Sequence, residues 1–496
     1  MPTNPDVGRR AVLQGGAASL TALTLAGPAR AAVPRSPAPP DAIETARRIR
    51  AGETTAVEVV EQAVRRAEAA AGLGFLVTPD VERALDRARA LPAGAVAIPT
   101  LIKDLADQAG LPTRRGSRAY ADTTPAGADD PFIDALGQMG CLSLGKSSTP
   151  EFGLSPITEP LGQAPTRNPW DPATSAGGSS GGAAAAVAAG VVPIAHGSDG
   201  GGSIRIPAAL CGVFGFKPSR GRMIGAVRTD NAWDLVCDHV LTRSVRDCAL
   251  VLGGAERPGG DLGPPVGRVE AAGTRPLRIG IITESLAGET PKPEVLAAIT
   301  GARDLLTSLG HAVEDVSWSM NTAAFVEDFA GLWALGAAAE VAQLEASRGP
   351  GVRDALEPLT LGLAAMGAAI TQWNQGTLIG RLGAARRAHM GLYERIDVLM
   401  TPVLTRASVP LGLLGPDVDF PTQVERLRAL VGYTPLQNVT GGPAMSVPLH
   451  WTAAGRPVGV HFAGRRGDDR RLIELALALE AAAPWAERRP PLWAGD

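Results

Sequence analysis

Two glycine-rich stretches carry the serines whose surroundings could support chemistry: GGSSGG at 177–182 and SDGGGSIR at 198–205. A serine hydroxyl becomes a nucleophile when a neighbouring base takes its proton, and converging backbone N–H groups stabilise the oxyanion that its attack creates. GGSSGG fits G-x-S-x-G with Ser180 at its centre. The nucleophile elbow that this pattern marks needs an apolar strand directly before it, and TRNPWDPATSA is not one. In the second stretch Gly200, Gly201 and Gly202 precede Ser203, which allows close approach of the backbone and a nest of N–H donors. Such a nest binds phosphate or an oxyanion. A phosphate loop would close on Gly-Lys-Ser/Thr, whereas Ile204 and Arg205 stand here, so a nucleotide site is the weaker reading.

Either serine would need a base. His196 is near, but it ends an apolar run, VVPIAH, where a structural histidine is the commoner case. The alternative is a lysine buried deeply enough to be neutral. Of 47 basic residues only Lys103, Lys146, Lys217 and Lys292 are lysines, and three of these fall around the two glycine stretches. Lys103 ends the apolar run AIPTLI and is followed by Asp104, a good position from which to reach into a site.

The elements that must position these residues read as follows. Residues 41–71 have apolar positions at helical spacing broken at Ala51-Gly52, which predicts two helices with Thr54 or Thr55 capping the second. Strands are expected at 74–78, 95–102, 191–196, 277–283, 397–404, 444–449 and 457–464. The stretch 294–395, containing Trp318, Trp333 and Trp373, reads as largely helical, and 469–483 as an amphipathic helix. Mixed strands and helices without an internal repeat favour an α/β class, and no composition break marks a second domain.

Bulk composition narrows the function. Apolar residues make up 45% of the 496, enough for a sizeable core, and a net charge of −3 offers nothing to nucleic acid or an anionic membrane. Cys141, Cys211, Cys237 and Cys248 show no metal-ligand spacing and read as small buried residues. At the N-terminus Arg9 and Arg10, an uncharged run from Ala11 to Ala26, and Ala29-Arg30-Ala31 form the pattern of a cleaved twin-arginine export signal. The expected organisation is a signal peptide at 1–31, a linker at 32–40 and a catalytic domain at 41–490. The expected location is outside the cytoplasm, without stable membrane insertion.

Six motifs in order, IPTLIKD (98–104), GKSSTPEFG (145–153), TRNPW (166–170), AGGSSGG (176–182), SDGGGSIRIPA (198–208) and GFKPSRGR (215–222), resemble the amidase signature family. Weaker matches at NVTGGPAMSVP (438–448) and PVGVHFAG (457–464) extend the resemblance. Ala97 stands where the family commonly has glycine. The resemblance implies a single-domain α/β fold, a large mixed central sheet flanked by helices on both faces, with 98–222 as its core and 294–395 shaping the substrate pocket. It implies a triad of Lys103 as base, Ser179 as bridge after a cis peptide bond from Gly178, and Ser203 as nucleophile. Gly200, Gly201 and Gly202 would supply the oxyanion hole, Gly201 and Gly202 foremost. Ser180, Asp199 and Arg205 would support the site, while Lys146 and Lys217 would be structural.

The implied activity is hydrolysis of an amide by water through a seryl acyl-enzyme, without metal or cofactor, and a homodimer is open. Within the family, TEP…TRNPW and the ending LEAAAPWAERRPPLW are similar to hydrolases of the 6-aminohexanoate cyclic dimer. A peptide amidase acting on C-terminal amides and a non-catalytic binding protein on the same scaffold are the alternatives.

Overall fold

The computed structural model of the protein describes residues 39–226, 234–259 and 262–495. The expected export signal at 1–31 and most of the expected 32–40 linker lie outside the described residues. The strands are β1 (Leu76–Pro79), β2 (Ile98–Lys103), β3 (Cys141–Ser147), β4 (Arg167–Asn168), β5 (Asp171–Ser175), β6 (Ile194–Asp199), β7 (Phe214–Lys217), β8 (Cys237–Thr242), β9 (Arg278–Ile281), β10 (Ala312–Asp315), β11 (Val398–Pro402), β12 (Ala444–Trp451) and β13 (Pro457–Ala463). Eight of them form one sheet in the order β10-β9-β11-β13-β12-β7-β8-β6. Pairing is parallel among β10, β9 and β11 and antiparallel from there to β6, so the sheet is mixed. A smaller sheet, β1-β3-β2, lies against its β6 edge, where Thr100 Oγ1 of β2 donates to Ile194 O of β6 at 3.1 Å.

The helix Gly181–Ala188, GGAAAAVA, carries no polar side chain and is buried on every side, as expected of a helix that is apolar all round. Its alanines keep it thin enough to touch β2, β3, β6 and β8 at once. Gly182 at its first turn sits so close to Ser148 and the Phe75 carbonyl that a Cβ would overlap both. The helix Arg205–Cys211 follows the glycine loop and packs on β7, β12 and β13.

The N-terminal pattern gives helices Ala42–Arg50 and Ala56–Ala69, the second closed by a capping box between Thr55 and Glu58. Six of the expected strands match within a few residues. VVPIAH is displaced: β6 starts at Ile194 and runs on through Asp199, because Ser198 and Asp199 pair with β8. The expected helical stretch contains helices Pro293–Ser308, Thr322–Arg348, Pro358–Ala368 and Gln372–Leu392, but also β10. AVED adds a short parallel edge to β9. All four cysteines are buried and free.

Candidate active site

Lys103 ends β2 with its side chain wholly buried. Its Nζ lies 2.8 Å from Ser179 Oγ, 3.0 Å from Ser198 Oγ and 3.2 Å from Ser198 O. Burial brings its pKa down to about 7, against the opposing pull of Asp199 and Asp238. A neutral amine has two protons and a lone pair. The Ser198 carbonyl can only accept, whereas a hydroxyl can donate, so the contacts leave the lone pair free to receive the Ser179 proton. No carboxylate lies within ion-pair distance of Nζ among the described residues, which keeps the neutral form accessible.

Ser179 follows a cis peptide bond from Gly178. The loop is held from both sides: Ser180 N donates to Ser203 O at 3.1 Å, Ser180 Oγ donates to Ser198 O at 3.2 Å, and Ser198 N donates to Ser180 Oγ at 3.3 Å. Ser180 thereby ties three segments together and is itself fully buried. Ser179 and Ser203 face one cavity of about 330 Å³ together with Ser198. No hydrogen bond joins the Ser179 and Ser203 hydroxyls among the described residues. Ser203 instead lines both this cavity and a second, smaller one.

The loop that presents Ser203 hangs on Asp199. Its carboxylate accepts from Gly202 N at 2.8 Å, Ile204 N at 3.1 Å, Arg205 Nε at 2.9 Å and Asn438 Nδ2 at 2.9 Å. Burial alone would raise the Asp199 pKa, but Arg205 and Asn438 outweigh it and hold the group far below the usual carboxylate range. Arg205 also donates to Thr434 O, Asn438 Oδ1 and His461 Nε2, the last at 3.0 Å. Burial, with Arg205 adding to it, keeps the His461 ring neutral. Asp199 and Arg205 are therefore placed to support the loop as the motifs imply.

Of the glycines expected to supply oxyanion donors, Gly202 is already engaged: its N–H is committed to the Asp199 carboxylate. Gly200, Gly201 and Ser203 have N–H groups without a protein partner among the described residues. Gly202 is required for another reason: its φ is +129°, and a Cβ there would overlap the Thr434 hydroxyl. That hydroxyl donates to Gly201 O at 2.7 Å and fixes the peptide at the head of the loop.

His196, for which the sequence favours a structural role, lies beside the site and lines the larger cavity. Its Nδ1 accepts from Lys103 N at 3.2 Å, and Nε2 faces Asp238 at 3.3 Å. Lys146 donates to Ala106 O and Thr113 Oγ1, and Lys217 donates to Pro218 O. Sequence reasoning missed Ser198, Thr434, Asn438, His461 and Trp333. Ser198, Asn438 and His461 do lie inside quoted motifs, but nothing in their spacing said that they would meet Lys103 or Arg205.

A second cavity, about 180 Å³, meets the first at Ser203 and is walled by Leu154, Val326, Phe329, Met366 and Leu427. Trp333, whose Nε1 donates to Leu154 O at 3.2 Å, stands between the two.

A profile of the Amidase family matches residues 58–473. The chain is 41% identical over 462 residues to AmiC of Mycobacterium tuberculosis, an amidase by provisional name, with 91% of this chain and 96% of that protein covered. It is 32% identical over 479 residues to the 6-aminohexanoate-cyclic-dimer hydrolase of Paenarthrobacter ureafaciens, again over 91% and 96%. Its fold superposes on the structure of a 6-aminohexanoate cyclic dimer hydrolase complexed with substrate with a TM-score of 0.83 and 29% identity, covering 91% of this chain and 99% of the other.

Proposed function

Given that the chain belongs to the amidase signature family and is a hydrolase acting on amide carbon–nitrogen bonds, we propose that it works through a seryl acyl-enzyme on Ser203, with Lys103 as base and Ser179 as proton bridge. Neutral Lys103 receives the Ser179 proton as Ser179 receives that of Ser203, and Ser203 Oγ attacks the amide carbonyl carbon. The carbonyl oxygen takes up the negative charge beside the N–H groups of Gly200, Gly201 and Ser203. As the tetrahedral intermediate collapses, the C–N bond breaks and the proton returns through Ser179 to the departing amine. Water then attacks the ester by the same relay, releasing the acid and restoring Ser203. The Ser203 hydroxyl must turn toward Ser179 as substrate binds, a tightening common in catalytic hydrogen bonds.

The observation that carries this reading is the 2.8 Å contact of Ser179 Oγ with a buried lysine whose pKa is brought down to about 7. The substrates proposed are 6-aminohexanoate cyclic dimer-like or other small amides, a reading supported by the relatives' activity. The test is a panel of cyclic, linear and peptide amides scored for released amine or ammonia. Ser203→Ala is expected to fold normally and to lower kcat by about four orders of magnitude or more. For the wild type, kcat/KM is expected to rise with pH through about 7, as Lys103 loses its proton. Undiminished turnover by Ser203→Ala would sink the assignment. We further propose export through the twin-arginine signal, on the strength of Arg9-Arg10, the apolar run and Ala29-Arg30-Ala31. N-terminal sequencing of protein recovered outside the cytoplasm should begin near Ala32.

A further inference from the structure

The two cavities that meet at Ser203 differ in chemistry, and the relay decides which half of the substrate enters each. Ser179 returns the proton to the departing amine, so the amine must leave on the side that Ser179 faces. Ser179 lines the larger cavity and not the smaller one. The acyl chain therefore occupies the smaller, apolar cavity and the amine the larger, polar one.

The larger cavity is acidic. Among the described residues lining it, Asp130, Asp238 and Glu340 stand against the single guanidinium of Arg115. Arg115 is neutralised by Glu340, its Nη1 lying 3.4 Å from both carboxylate oxygens. Asp238 faces the His196 ring and acts on Lys103 through space, and Asp130 accepts from the backbone N–H of Asp107 at 2.8 Å. Neither aspartate has a guanidinium or ammonium partner at ion-pair distance among the described residues. A cavity with low-dielectric walls focuses the field of such unpaired charges on whatever enters it.

From this arrangement we infer that the enzyme selects its substrates by the charge of the amine half, preferring amides of amines that carry a second, cationic group and discriminating against amines that carry a carboxylate. The inference rests on the acyl-enzyme reading above. The occupant it names is an acylated diamine, with an aliphatic acyl chain against Val326, Phe329 and Leu427 and an ammonium near Asp130 and Asp238.

The test compares hexanoyl amides of diaminopentane, pentylamine and aminopentanoate, which differ only at the far end of the amine. At mildly alkaline pH and low ionic strength, kcat/KM is expected to fall in that order by about tenfold per step, and the spread should narrow with added salt. Asp130→Asn keeps the acceptor for Asp107 N and does not touch Lys103. It should reduce the preference for the diamine, and Asp130→Asn with Asp238→Asn should abolish it. The ratio between substrates is read rather than the rate, because Asp238 also bears on Lys103. Equal rates on the three amides, a preference for the carboxylate, or an order unchanged in the variants would overturn the inference. The pentylamine amide separates the two levels: turnover by wild type but not by Ser203→Ala upholds the acyl-enzyme even if charge selection fails. Absence of turnover on all three amides would take both down.

Discussion

A lysine acts as a base at ordinary pH only where its ammonium form has been made costly, and burial does this to Lys103. Its three oxygen partners can satisfy the amine without paying for a charge. The cost also appears in stability. Because the folded-state pKa of about 7 lies below the unfolded value, the unfolded chain binds the proton more tightly throughout the interval between them. Lys103 therefore weakens the fold fully below about pH 7, and the penalty fades as pH rises toward the unfolded value. Lys103→Met removes this dependence. Urea midpoints at about pH 6 and pH 10 should show the gap between variant and wild type moving by about 3–5 kcal/mol in the wild type's favour at the higher pH. A constant gap would mean that Lys103 is charged in the folded protein.

At the scale of elements, the proposed nucleophile is held by a peg rather than by its own helix. The loop after β6 is wound around the Asp199 carboxylate, which is clamped by Arg205, and both are locked by Asn438 from the helix Pro435–Thr440. Buried charges of this kind hold position only when every partner is present. Gly202 lets the loop make its turn beneath Thr434. Gly202→Ala would force both a left-handed φ and an overlap with that hydroxyl, at about 1–3 kcal/mol of stability. Because the displaced peptides include the Gly201 and Ser203 N–H groups proposed as donors, we expect kcat to fall by about a hundredfold or more, oxyanion contacts being that sensitive. A thermal melt alongside kcat measured on a simple amide checks both. A variant that melts early but keeps its kcat would separate the turn from the donors.

At the scale of the molecule, the helical region is coupled to the core through two buried carboxylates. Glu151, within GKSSTPEFG, accepts from Ser117 Oγ at 2.6 Å, Thr360 Oγ1 at 2.5 Å and Glu357 N at 2.8 Å, while Glu357 accepts from Leu161 N at 2.6 Å. Burial first, and Glu151 second, push the Glu357 carboxyl up to about 7. A raised carboxylate pKa opposes ionisation in the fold. Stability is untouched below the unfolded carboxylate range, falls as pH rises through it, and carries the full penalty above about 7. Glu357→Gln should therefore stabilise the protein by on the order of 3 kcal/mol at about pH 8 and leave it unchanged near pH 4. Melting temperatures at the two pH values decide this, and equal gains at both would exclude the carboxylate as the cause.

Much of this organisation could be read before any coordinates. The cap at Thr54 or Thr55, the apolar runs that became β9, β11 and β13, and the motifs carrying Lys103, Ser179 and Ser203 are local signals, set by neighbours along the chain. β3 and β7 went unread because CLSLGKS and FGFK lack a clean alternation. They are strands because the sheet on either side supplies their hydrogen bonds.

By itself the sequence determined the chemistry on offer: which hydroxyls and which amine, and the glycines that free the backbone between them. Only the tertiary structure decided how they are used. Whether Lys103 can be neutral depends on what surrounds it in space. Asp199 engages the Gly202 N–H because the loop folds back over its own start. The division of the cleft into an apolar arm and an acidic arm arises where residues from 105 to 435 along the chain converge on Ser203. Burial, desolvation and field are properties of packing, and they come into being only when distant segments meet.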